Sequence, residues 1–154
     1  MNSRLSRITC LSILTLMCTA CDSTHDRKTE KRMIDTLTSH RNDDVMSIDL
    51  NPLLPAGWSK LCVQMPQMPS EIFEEFSGTK LKNYKVLTDD SVLIMWVLYP
   101  NAEPTYMTIP RRTAMDFNSS SNKTRDCTAD GQTTMNFAVV PSNQSNGAKS
   151  FNFN

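Results

Sequence analysis

The chain has 154 residues, with 16 basic and 16 acidic side chains, which is one domain's worth of length. No basic stripe and no interleaved aromatic platform marks a nucleic-acid surface, so nucleic acid is excluded as a partner. Beyond the N-terminus the longest apolar run, residues 92–99, falls far short of the roughly 20 residues that cross a bilayer.

The first twenty residues have the order of a secretory signal. Residues 1–7 carry Arg4 and Arg7 and no acid, residues 8–17 are mainly apolar, and Cys18, Thr19 and Ala20 are small. The apolar stretch is too short for a spanning anchor. It leads into Thr19-Ala20-Cys21, which resembles the lipobox of bacterial lipoproteins: two small residues, then an obligatory cysteine. Where that family usually has Leu, this chain has Cys18, with Leu16 two residues earlier. The resemblance implies cleavage before Cys21, diacylglycerol on its sulfur and acylation of the new amino group. It also implies a place in the bacterial envelope facing the periplasm. Asp22 favours the inner membrane, with the outer membrane as the alternative. Ordinary signal cleavage would also start the mature chain at Cys21.

Five cysteines are odd for an exported protein. Cys10 and Cys18 leave with the signal and Cys21 takes lipid, so Cys62 and Cys127 remain. In an oxidising compartment they are expected to pair; two separately buried thiols are the alternative. A metal site is disfavoured, because the only histidines, His25 and His40, fall in or near the tether. No cofactor is expected. Loss of Arg4 and Arg7 leaves 14 basic against 16 acidic residues, a net charge of −2.

Residues 22–31 are polar and charged and read as a flexible tether. Residues 31–40 place Met33, Ile34 and Leu37 at helical spacing, but Thr36, Thr38 and Ser39 favour extended structure, so the segment is ambiguous. Alternation predicts a strand over 45–50, and a second over 58–63 follows a Pro- and Gly-containing break. Ser70 is a candidate N-cap for a short amphipathic helix over 71–76, with Ile72, Phe73 and Phe76 on one face and Gly78 beyond its end. Residues 84–88 and 92–99 read as strands joined by a turn at Asp89-Asp90. The second is apolar on both faces, as a central strand is.

Residues 105–109 return as another strand. A polar loop over 118–125, expected to be mobile, follows Arg111 and Arg112. Strands are predicted over 133–140 and 149–154, the latter an edge strand after the Asn146-Gly147 turn. The expectation is an α+β fold: a small, mostly antiparallel sheet, one short helix packed on a face, and one disulfide. The chain divides into a signal (1–20), a lipidated cysteine with tether and uncertain short segment (21–44), and a single domain (45–154).

No GxSxG, HExxH, P-loop or GxGxxG pattern occurs, and no catalytic residue is predicted. Glu74-Glu75 and Asp89-Asp90 read as a solvated helix face and a turn. Trp58, Tyr84, Trp96 and Tyr106 are candidates for a ligand groove, although aromatics in strands more often form core. Arg111, Arg112, Lys123 and Arg125 are the candidate partner-binding residues, because loops on a rigid scaffold commonly carry recognition. The expected protein is therefore a lipid-anchored, non-enzymatic protein-binding module. Immunity lipoproteins and small lipoprotein lysozyme inhibitors are analogies of size and address only. The alternatives are a structural or assembly lipoprotein of an envelope or secretion complex, and a hydrolase with dispersed carboxylates. Metabolic labelling with an alkyne fatty acid should mark the wild type and not Cys21→Ser; equal labelling of both removes the lipidation reading.

Overall fold

A computed structural model describes residues 25–40, 43, 45–110, 127–139 and 149–152. In chain order its elements are α1 (Arg27–Ser39), β1 (Val45–Asp49), β2 (Lys60–Gln64), α2 (Ser70–Ser77), β3 (Val92–Leu98), β4 (Thr105–Pro110), β5 (Thr134–Val139) and β6 (Lys149–Asn152). The α+β class holds, with two helices and two three-stranded antiparallel sheets where one helix and one sheet were expected. The sheets have the orders β2-β3-β4 and β1-β5-β6.

β3 is the middle strand its all-apolar sequence predicts. On one face Leu93, Met95 and Val97 join Leu61 and Val63 of β2 and Met107 and Ile109 of β4. This core is completed by Met33 and Leu37 of α1, Met46 and Ile48 of β1, and Met135 of β5. On the opposite face Trp96 and Leu98 join Cys62, Phe73 of α2, Leu81 and Cys127. Alternation along each strand assigns the two sets, so β3 is covered from both sides. Phe73 is fully buried, and truncation to Ala at such a site typically costs about 3–5 kcal/mol.

Helix α1 corrects the expected tether. Asp26 caps it by accepting the Thr29 N–H at 2.9 Å and the Thr29 hydroxyl at 2.6 Å. Thr29, Met33 and Leu37 are buried at four-residue intervals, giving the helix a stripe against the core. Tertiary burial of that stripe overrides the weak helix propensity of Thr36, Thr38 and Ser39.

Three other expectations are corrected. Ser70 is the first helical residue of α2, not its cap; Pro69 holds that place without a side-chain hydrogen bond. Gly78 does end the helix, at φ 70°, the left-handed geometry that favours glycine. Ile72 is half exposed, leaving Phe73 and Phe76 as the apolar contacts of α2. Residues 84–88 form no strand, and Asp89-Asp90 no hairpin. Both edges of β3 are already occupied, by β2 and β4. The segment is held instead by the Gln67 N–H donating to the Leu87 carbonyl, and by the Gln64 amide donating to the Lys85 carbonyl at 2.7 Å.

The sheet of β2, β3 and β4 is closed at both edges. Along β4 the Asp26 N–H donates to the Tyr106 carbonyl at 2.8 Å, and the Thr108 N–H donates to Glu30 Oε2 at 2.7 Å. Along β2 the Leu61 N–H donates to the Thr128 hydroxyl at 3.0 Å, and the Thr128 N–H returns to the Leu61 carbonyl at 2.9 Å. Cys127 lies opposite Cys62, and the two form the expected disulfide across 65 residues of sequence. The chain-entropy model values such a closure at roughly 4 kcal/mol. Cys127→Ser should lower unfolding stability by about 2–5 kcal/mol in chemical denaturation, and non-reducing peptide mapping should find the two cysteines joined. An unchanged denaturation midpoint would show that the bridge does not hold this edge.

Candidate functional site

The strand registers align five residues in one row across the sheet. Cys127 pairs with Cys62, Cys62 with Trp96, Trp96 with Tyr106, and Tyr106 with His25. Directly paired residues share a face, so the row runs from the disulfide at one edge to an aromatic stack at the other. The Trp96 and Tyr106 rings are 5.1 Å apart. His25 lies nearly parallel to Tyr106, with 4.9 Å between centroids and 7° between planes.

Helix α2 covers only part of this face. Beside it lies a cleft of about 340 Å³, lined by Lys82, Asn83, Tyr84, Lys85, Ile94, Trp96 and Tyr106. Its volume lies at the lower end of the range of small-ligand sites, and its lining is mixed, with three aromatic rings and Ile94 beside two lysines and an asparagine. Trp96 is buried in its floor, with Nε1 donating to Gln64 Oε1 at 2.8 Å. Tyr84 forms a wall, its hydroxyl donating to the Met68 carbonyl at 2.7 Å. Burial pushes that hydroxyl up to about 12 from its ordinary 10.0, and the nearby Glu71 charge adds to the shift. Lys82 and Lys85 stand exposed at the rim. Lys82 reaches Glu103 at 2.6 Å, and this surface ion pair raises its pKa, through the hydrogen bond first and the charge second. An aromatic floor under two ammonium groups suits an anionic group on an apolar or planar body.

Next to the cleft, His25 Nε2 lies 2.7 Å from Glu30 Oε2, the same oxygen that accepts the Thr108 N–H. His25 therefore belongs to the domain and not to a tether. Among the described residues no hydroxyl or thiol hydrogen-bonds to its ring. The pair clamps the entering chain to β4. Desolvation opposes the Asp26 charge, but its bonds from Thr29 and Lys28 and the Arg32 charge outweigh this and hold its pKa below the ordinary 3.8. The cap thus stabilises the fold above that value and is lost as pH falls below it.

The other aromatic candidate, Trp58, packs against the inner core and lines a separate cleft of about 190 Å³ with residues 130–133. Of the predicted site residues, Cys62 and Cys127 are joined. Cys21, Arg111, Arg112, Lys123 and Arg125 lie outside the described residues, as do the polar loop 118–125 and the Asn146-Gly147 turn. Among the described residues no group of three His, Cys, Asp or Glu side chains is placed to hold a metal, and no helix is long and apolar enough to cross a membrane. Sequence reasoning missed His25 and Glu30. Their signal was Asp26 three residues before Thr29, with Glu30 in the first turn of a stripe continued by Met33 and Leu37.

No protein-family model matches the chain, and no curated protein and no solved structure matches it.

The raised Tyr84 ionisation gives a direct test of the cleft wall. The hydroxyl contributes stability that is complete below pH 10.0 and lost as pH rises through about 12. In an ultraviolet tyrosine titration one step should fall near 12 and disappear in Tyr84→Phe. Three tyrosines ionising together at the ordinary value would put this hydroxyl in solvent.

Proposed function

We propose that this is a small lipid-anchored protein of the bacterial envelope that acts by binding a protein partner, as an immunity or inhibitor protein does, without turnover of its own. The observation that carries the reading is the use made of the polar side chains around the principal sheet. Asp26, Glu30, Gln64 and Thr128 all hydrogen-bond within the scaffold, holding its edges or its outer face. Such a scaffold presents side chains and loops to a partner and keeps its backbone edges covered.

The lipobox resemblance at Thr19-Ala20-Cys21 supports the proposed location. A membrane anchor raises the domain's effective concentration for partners confined to the same compartment. The proposed contact residues remain Arg111, Arg112, Lys123 and Arg125. The ends of their segment, Pro110 and Cys127, are held at β4 and beside β2, on opposite edges of a disulfide-bonded sheet. A segment fixed at both ends loses less entropy on binding than a free one.

The test is capture from detergent-solubilised envelopes with the full chain. Wild type should retain a stoichiometric partner. Arg111→Glu with Arg112→Glu should weaken capture roughly tenfold, as two reversed rim charges would, with the melting temperature nearly unchanged. Full capture by the double variant removes the proposed surface. A hydrolytic activity of the purified protein that one carboxylate substitution abolishes overturns the binding reading.

A further inference from the structure

We infer that the cleft walled by Tyr84 and Tyr106 faces the bilayer and seats the phosphodiester headgroup of an anionic phospholipid; this rests on the reading of Cys21 as the acylated residue. The first argument is reach. His25 lies four positions after Cys21, with three residues between them, and an extended chain spans at most about 3.6 Å per residue, so the Cα of the lipid-bearing cysteine stays within about 14 Å of the His25 Cα. His25 is itself fixed, by its stack on Tyr106, its contact with Glu30, and the adjacent Asp26 N–H bond to the Tyr106 carbonyl. That leash is comparable to the radius of gyration of a 100-residue domain, about 13 Å. The lipid cannot reach the far side of the domain, and the ring nearest its attachment, Tyr106, is a wall of the cleft.

The second argument is charge. The mature chain is net acidic, yet Lys82 and Lys85 form this rim, and Arg27 and Lys28 are exposed in the turn of α1 that follows His25. Cations in the first turn of a helix are disfavoured by its dipole, so their place there is not explained by helix stability. Lys85 is exposed and makes no ion pair among the described residues. The Lys82 contact with Glu103 is solvent-exposed, and a phosphate can compete with such a pair. Among the described residues the acids beside His25 or the cleft are Asp26 and Glu30, both engaged in hydrogen bonds, with Glu71 near Tyr84 and Glu103 on Lys82; Asp22 lies in the leash itself. The third argument is lining. Tyrosine favours the headgroup level of a membrane, where an apolar ring and a polar tip are both satisfied, and Tyr84 and Tyr106 are the partly exposed rings of the cleft.

The test uses the full-length protein reconstituted in vesicles of mixed phosphatidylethanolamine and phosphatidylglycerol, in phosphatidylcholine vesicles, and in detergent micelles. Lysine acetylation by an amine-reactive ester is mapped by mass spectrometry, with intact mass reporting acylation of Cys21. The expected result is an acylated protein in which phosphatidylglycerol vesicles slow reaction at Lys82 and Lys85 about fivefold or more relative to micelles. Lys60, paired with Asp130 beside the disulfide, should not change, and phosphatidylcholine should protect weakly. Lys85→Glu, with an unchanged melting temperature, should reduce the protection of Lys82 about fivefold.

An unacylated Cys21 overturns both the anchor and the docking. An acylated protein whose Lys82 and Lys85 react equally fast in all three settings overturns the docking alone. Reaction at Lys82 and Lys85 equally slow in all three settings, measured against the exposed Lys31, means the chain itself fills the cleft. Protection that appears only with a co-purifying protein means that protein is the occupant. Either result also overturns the docking.

Discussion

A three-stranded sheet has two open edges, and closing them is the constraint from which the rest of this molecule follows. An uncovered edge presents unpaired N–H and C=O groups to any other strand. Here the Leu61 amide and carbonyl are matched by Thr128, and the Tyr106 carbonyl and Thr108 amide by Asp26 and Glu30. The disulfide holds one closure and the capped N-terminus of α1 holds the other. Placing α1 at that edge brings Met33 and Leu37 over the inner face, where the second sheet completes the core. The outer face then receives α2 and Phe73.

Some of this was legible in the residues. Uniform apolarity over 92–98 gave a central strand, because only a strand covered on both faces can place every side chain out of water. Gly78 marked the end of α2, and the leftover cysteine pair gave the disulfide. What failed was long-range. Residues 84–88 read as a strand, but their place in the sheet is taken by β2, itself an expected strand whose pairing with β3 no local pattern reveals. A single sheet was expected because periodicity reports that strands exist, not which ones pair. Charge density over residues 22–31 hid a helix whose buried stripe contains only Thr29 in that stretch. Of the candidate site, the aromatic residues were visible as a set. Their alignment in one cross-strand row depended on register and was not.

Tyr106 and Pro110 lie toward opposite ends of β4. The entering chain and the cleft meet β4 at Tyr106, and the arginine-bearing segment follows Pro110. Strand rise of about 3.3 Å per residue puts roughly 13 Å between those points. One strand therefore separates the position where the chain comes in from the last described residue before the proposed contact segment.

The pairing pattern also sets an order of assembly. β2, β3 and β4 lie within residues 60–110 and pair as sequence neighbours, whereas Val45 must find Ala138. Contacts over short stretches of chain form before those that close long loops. The sheet that carries Cys62 can thus be complete while residue 127 is still unplaced. Thr128 is positioned to act as a register peg, because its two-way bonding with Leu61 sets Cys127 opposite its partner sulfur. Oxidation then follows templating, and β1 and β5 zip last over a core already half built. Contact order therefore predicts that pairing of β5 with β1 is slower than pairing within residues 60–110.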